Sequence, residues 1–415
     1  MTALRWPKQW REPSVLELLD RARIGYVIAD AGAREAAGAV LSRAGASGLK
    51  VLGEGEAPAG VSIVEAGWPG ARLSIRNSER PTGEPAAAAG PTGEPWLDSL
   101  GWVVQLHRAR RPDDIIWIDS KPEGGIIGAD SYLRAVSDAG ANGGEWILAP
   151  DDSIADGISA RRPEAVETWK KLLQACEYFD RNKSWNAYRR AAAFGVVSDF
   201  AGDNEYLTTE ILNLATRNNQ PCMVLDKSKA AGADLKALRA VVYLDDAPPE
   251  PQLRRALLAY ADSGGLLVVG PAWGTPEGLP SRRTHARFTF RSLGKGALAV
   301  VKEDAPDPWN LAKDIPVLIS HRYDLIRIFG ANAAIVYYTV APDGRAGLVQ
   351  LVNFASRPRG ASGEVTVRIA APYRAAQFRT LDEPAPRPVR LAVRQGATEL
   401  FLPSIPVYAA VELLK

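Results

Sequence analysis

Residues 115–152, IIWIDSKPEGGIIGADSYLRAVSDAGANGGEWILAPDD, constrain the fold more than any other stretch. An apolar run from Ile115 to Ile118 stops at Asp119, and a second run, Trp146, Ile147 and Leu148, lies between Glu145 and the pair Asp151 and Asp152. Residues 131–139 between them have helical character. Short apolar strands separated by a helix predict a parallel sheet. Parallel sheets bind ligands beyond the carboxyl ends of their strands. Asp119, Asp151 and Asp152 fall at that end, and Glu145 falls at the other.

At 415 residues the chain exceeds one ordinary hydrophobic core, which predicts two or three domains. A formal charge of +2 supports neither a nucleic-acid surface nor an acidic tail. Arg108, Arg110 and Arg111 form the densest early basic cluster, but Asp113 and Asp114 follow it directly. Cys176 and Cys222 do not make a disulfide framework. His107, His285 and His321 are too scattered for metal-ligand spacing, so no metal or other cofactor is implied. The N-terminus is charged and lacks the apolar core of a secretory signal, and no run approaches the roughly 18 apolar residues of a membrane span. The expectation is a cytoplasmic, non-membrane protein.

Upstream, Trp6, Pro7, Trp10 and Pro13 make a stiff aromatic lead-in that suits packing onto the domain. Strands are predicted at residues 24–29, 49–52 and 61–64, with an alanine-rich helix at 33–44. The third strand runs into Glu65, Ala66, Gly67 and Trp68. Residues 71–95 carry PTGEP twice and read as a long loop, expected to border the pocket and to be more mobile than its flanking strands. Trp96, Asp98 and Trp102 follow, and a helix carries His107. A long helix over 164–179 starts after Pro163 and presents Val166, Trp169, Leu172, Leu173 and Cys176 as one apolar stripe. About five strand–helix units result, in a region shorter than the roughly 250 residues of a closed eight-stranded barrel.

From residue 184, after a linker or short helix, strands at 196–199, 222–225, 241–244 and 266–269 alternate with helices at 205–218 and 251–263. This predicts a second parallel α/β domain. Gly264 and Gly265 precede their strand, so they are not a phosphate loop. From residue 333 the pattern changes to short strands punctuated by Pro, Gly and Asp, at 334–340, 347–354, 365–369, 375–379, 389–393 and 407–413, as in a small antiparallel β-sandwich.

The domain order, together with three groups of residues, resembles the multidomain β-galactosidases of glycoside hydrolase family 42. The groups are Gly143 to Leu148 (GGEWIL) with the 166–179 helix, Val196 to Asp199 (VVSD) with Tyr243 to Asp246 (YLDD), and Gly264 to Val269 (GGLLVV). The resemblance implies an α/β multidomain chain: a partial or divergent (β/α) barrel over 1–183, a flavodoxin-like or class I amidotransferase-like domain with a connector over 184–332, and a β-sandwich over 333–415. It also implies a homotrimer assembled through the middle domain. The family places an acid preceded by asparagine on one barrel strand. Here the only Asn-Glu pair, Asn204 and Glu205, lies in the middle domain, and Cys222 lacks the glycines of an amidotransferase elbow.

Glycoside hydrolysis of a β-linked sugar needs two carboxyl groups flanking the scissile bond. The strand-end acids offer Glu65 with Asp119 first, then Asp151 or Asp152, with Glu145 in reserve. Burial near Trp68 and Trp117 would raise the pKa of Glu65, as a general acid requires, and Lys121 would hold Asp119 ionised. Trp68, Trp96, Trp102, Trp117 and Trp146, with Asp98 and Lys121, are the expected carbohydrate contacts, because a sugar's apolar face stacks on aromatic rings. Each tryptophan is equally suited to a core, and strand-end acids also cap helices. The second expectation is therefore a non-catalytic carbohydrate-associated or scaffold protein with a degenerate barrel.

Overall fold

The computed structural model describes residues 2–19, 23–71, 97–121, 128–274, 278–304, 306–331, 333–355 and 364–415. Six parallel strands build the first region: β1 (Thr2–Arg5), β2 (Ile24–Ala29), β3 (Lys50–Gly53), β4 (Val61–Glu65), β5 (Ile115–Asp119) and β6 (Glu145–Trp146). Its helices are α1 (Ala31–Ala46), α2 (Gly101–Arg110), α3 (Ala129–Ala141), α4 (Asp152–Ser159) and α5 (Pro163–Arg181). One ladder runs β1-β2-β3 and another β4-β5-β6. Leu4 pairs with Leu148 and joins them, so the strands follow the order β3-β2-β1-β6-β5-β4.

That order is a ring opened at one seam. Its edges, β3 and β4, are consecutive in the chain, yet among the described residues no ladder connects them. A parallel crossover takes a dozen or more residues and usually a helix. Residues 54–60 make this one without a helix. Strand alternation sorts the side chains. Leu4, Val27, Val64, Ile116, Ile118 and Leu148 pack outward against the helices. Ala3, Ile28, Trp117 and Ile147 form an inner cluster that contains no helix residue, with Tyr26, Leu52, Val61 and Ile63 only partly buried against it. The centre is thus a barrel-like layer that is incompletely covered.

The aromatic lead-in docks on α5. Trp6 meets Trp10 edge-on with ring centroids 5.4 Å apart, and Trp10 meets Trp169 at 5.8 Å. The preceding β1, not anticipated from sequence, is the strand that bridges the two ladders. Four residues too short to display a period give little signal of their own.

The middle region contains β7 (Phe194–Ser198), α6 (Asp203–Arg217), β8 (Cys222–Asp226), β9 (Ala240–Tyr243), α7 (Pro251–Asp262), β10 (Leu266–Val269), β11 (Ser281–Thr284), β12 (Phe288–Leu293), β13 (Gly296–Val301) and α8 (Pro308–Ile319). The sheet order is β8-β7-β9-β10-β13-β12-β11, with β12 running antiparallel to its neighbours β13 and β11. Helices α6 and α8 cover one face and α7 the other, as in doubly wound folds. The direction of winding reverses between β7 and β9, which makes their carboxyl ends a switch point. The stretch expected as a connector before residue 333 carries the helix α8. At its start Asp307 accepts a hydrogen bond from Trp309 N at 3.2 Å, and Pro308 opens the helix.

Gly296 opens β13 under the α7–β10 turn. A Cβ there would lie 2.2 Å from the carbonyl oxygens of both Ala261 and Gly265. Backbone cannot swing aside as a side chain can, so Gly296→Ala is expected to cost about 3 kcal/mol in urea unfolding. A loss under about 1 kcal/mol would show that the turn yields.

Two antiparallel sheets make the last region. One has the order β14 (Ile326–Phe329), β17 (Val365–Ile369), β20 (Ala397–Leu402), β19 (Arg390–Arg394). The other contains, in order, β18 (Ala375–Thr380), β21 (Tyr408–Leu414), β16 (Ala346–Asn353) and β15 (Ala334–Val340), extended by Arg189–Arg190 from the expected linker. Their facing sides share one apolar cluster, as in a β-sandwich. The strands β14 and β20 were not read from the sequence. The sandwich docks on α3: Tyr337 donates its hydroxyl to Asp138, and Gln350 Nε2 donates to Ala141 O at 2.9 Å. No helix among the described residues is long and apolar enough to cross a membrane.

Candidate functional site

Glu65 and Asp119 end β4 and β5 as register partners, and Ala66 N donates to Asp119 O at 3.1 Å. Neighbouring strands lie about 4.8 Å apart. The two carboxylates therefore leave the sheet side by side at its ligand-binding end. Their surroundings differ. Glu65 is exposed, whereas Asp119 is 8% exposed and receives Nε of Arg5 at 3.3 Å along with its Nη2.

Arg5 ends β1 and also reaches Glu54, just past β3, at 3.4 Å. Lys121 donates to the same Glu54 oxygen at 2.8 Å. The hydrogen bond and charge of Lys121, aided by Arg5, hold the Glu54 carboxyl below its usual range. Sequence proximity had assigned Lys121 to Asp119. The fold gives Asp119 to Arg5 instead and places Lys121 on Glu54. This network spans the ends of β1, β3 and β5, and so crosses the open seam.

The other acids are engaged locally. Asp151 caps α4, its Oδ1 accepting from Ile154 N at 3.0 Å and its Oδ2 from the Tyr132 hydroxyl at 3.0 Å. Asp152 is exposed and accepts from Gln9 Nε2 at 2.6 Å. Glu145 lies at the opposite end of the sheet, where it accepts from Trp117 Nε1 at 3.1 Å and burial raises its pKa. Trp117 and Trp146 are buried. Trp68, partly buried, turns toward Trp146 and Tyr132, with centroids 5.1 and 5.2 Å away, so it packs outside the ring and not over Glu65. Trp96 and residues 72–95 of the expected pocket loop lie outside the described residues.

Glu65, without Asp119, lines a cleft of about 400 Å3 between β4, α2 and the middle region. Asp98, Trp102 and His107 line it from the first region. Burial, reinforced by Arg110 and Arg111, lowers the pKa of His107. Phe200, Glu205, Thr209, Glu210 and Asn213 line it from the end of β7 and from α6. Sequence reasoning missed this second wall. Its one signal was the Asn-Glu pair at residues 204–205, whose spatial neighbours a local pattern does not reveal.

At the middle switch point, Lys227 Nζ bridges Asp199 at 2.6 Å and Asp245 at 2.8 Å. Arg110 reaches across from α2 to Asp226 at 2.6 Å. Cys222 sits at the start of β8, away from that crevice, and burial pushes its thiol up to about 11. A reactive thiolate needs the reverse. Cys176 is likewise pushed up to about 12 by burial. No group of three or more His, Cys, Asp or Glu among the described residues could hold a metal ion.

The fold is similar to alpha-L-fucosidase isoenzyme 2 from Paenibacillus thiaminolyticus, with a TM-score of 0.52 and 10% identity over 97% of this chain and 79% of that one. It is also similar to a rhamnosidase from Novosphingobium sp. PP1Y, with a TM-score of 0.52 and 10% identity over 92% of this chain and 38% of that one. A beta-galactosidase from Bacillus circulans sp. alkalophilus aligns with a TM-score of 0.48 and 11% identity over 74% of this chain and 61% of that one. No family model matches the chain. No curated protein matches it. The first two likenesses establish a shared fold, and at such identity they carry no residue roles.

Proposed function

We propose that this chain is a glycosidase-like protein acting on a β-linked sugar at the carboxyl ends of β4 and β5, with Glu65 and Asp119 as its carboxylate pair. The supporting observation is their in-register placement on adjacent parallel strands. Adjacent strands suit the short separation, about 5 Å, of a retaining mechanism. Exposed Glu65 would protonate the glycosidic oxygen, and Asp119, paired with Arg5, would attack the anomeric carbon. The test is turnover on a panel of aryl glycosides by wild type, Glu65→Gln and Asp119→Asn. Each variant is expected to lose more than about tenfold with folding intact. Smaller losses in both would remove the assignment.

One observation favours a second reading, a carbohydrate-associated protein without turnover. The network of Arg5, Glu54, Asp119 and Lys121 satisfies the mouth's buried acid internally. Oligosaccharide binding with no wild-type turnover would select it. Assembly as a homotrimer through the middle region belongs to the same proposal, and a monomer in sedimentation equilibrium at micromolar concentration would overturn that part.

A further inference from the structure

We infer that the sugar site spans two domains: Glu205 on α6 forms the wall facing Glu65, and Trp102 forms the floor, making a cleft for neutral oligosaccharides that rejects acidic ones. This deepens the carbohydrate reading above and rests on it. Three observations carry it. The cleft holds about 400 Å3, within the range of small-molecule sites, and lies at a domain interface where such sites concentrate. Glu65 and Glu205 both line it and both are exposed, and among the described residues neither forms an ion pair.

The third observation is aromatic. Trp102 is partly buried and lies nearly parallel to Phe200 of the other domain, at 27° with centroids 6.5 Å apart. Phe200 adopts φ +52°, a left-handed conformation that is costly for a bulky side chain. Such strain persists where surrounding structure holds it. Here it places a second ring beside Trp102, so both domains bring aromatic surface to the cleft, of the kind on which the apolar face of a pyranose stacks.

Charge sets the class of ligand. Glu65 and Glu205 are the exposed carboxylates of the cleft, and its basic groups are Arg110 and the pKa-lowered His107. Carboxylates accept hydrogen bonds from sugar hydroxyls, and they repel uronates and sulfated sugars. Arg110 is already committed to Asp226.

The experiment is calorimetric titration of wild type, Glu65→Gln, Asp119→Asn and Glu205→Gln with a panel of neutral oligosaccharides and with oligogalacturonate. Circular dichroism and thermal midpoints serve as folding controls. Glu205 is exposed, so its amide variant is expected to fold normally. The expected result is neutral-sugar binding by wild type, no measurable oligogalacturonate binding, and a loss of about tenfold or more in Glu205→Gln, the value of one charge-assisted hydrogen bond. Wild-type affinity in Glu205→Gln alongside a loss in Glu65→Gln or Asp119→Asn would overturn the two-domain site and leave the carbohydrate reading standing. Tighter binding of oligogalacturonate than of neutral sugars would overturn the proposed specificity. No binding of any sugar by wild type would overturn both the inference and the reading beneath it.

Discussion

Arg5→Met is expected to destabilise the protein by about 3 kcal/mol, the lower end of the cost of breaking a buried ion pair from one side. The side chains of Arg5 and Asp119 are 14% and 8% exposed. Residual solvent at the arginine screens part of the interaction, which is why the lower end applies. The methionine would fill much of the space of the arginine stem but leave Asp119 facing an apolar neighbour with no cation. The double variant Arg5→Met, Asp119→Asn is expected to recover much of the loss, because the uncompensated charge is then gone. Urea unfolding of the two single variants and the double completes the cycle. Simple additivity would mean that the pair is not coupled and that the network does not hold the seam.

The second large effect concerns Asp138, which joins α3 to the sandwich. It is fully buried, accepts from Leu100 N at 2.6 Å and from the Tyr337 hydroxyl, and burial raises its pKa to about 6. A displacement of that size is worth on the order of 3 kcal/mol. The sign follows from proton binding: the folded state holds this proton more tightly than the unfolded state does. The contribution is fully present below the unfolded pKa near 4 and is lost as pH rises through about 6. Asp138→Asn cannot titrate. The stability of wild type relative to this variant is therefore expected to fall by roughly 2 kcal/mol between pH 4 and pH 7 in urea titrations. Parallel pH profiles for the two proteins would contradict it.

The elements most legible in the sequence were those long enough to display a period or to carry a stop signal. The α5 stripe of Trp169, Leu172 and Leu173 is buried as its spacing implied. The apolar run of β5 ends at Asp119, and β4 ends at Glu65. The elements not read from the sequence were β1, the strands β11 to β14, β20 and the helix α8. Among the expected site residues, Trp68, Trp117 and Trp146 joined the packing, and Trp102 and Asp98 reached the cleft. A tryptophan's sequence position does not state which side of its sheet or helix meets solvent.

The amino-acid sequence by itself determined the succession of a parallel α/β region, a second one and an antiparallel β region, together with the acids at the strand ends. Those properties are local: alternation, helical spacing, glycine and proline punctuation, and the place where an apolar run stops. Tertiary structure alone decided the partners. Leu4 meets Leu148 and unites the ladders, Arg5 takes Asp119, Lys121 turns to Glu54, and Glu65 comes to share a cleft with Glu205. The physical reason is that a periodic pattern reports how one element divides its faces between core and water, whereas a charge or a sheet edge is satisfied by whatever the closed fold brings beside it.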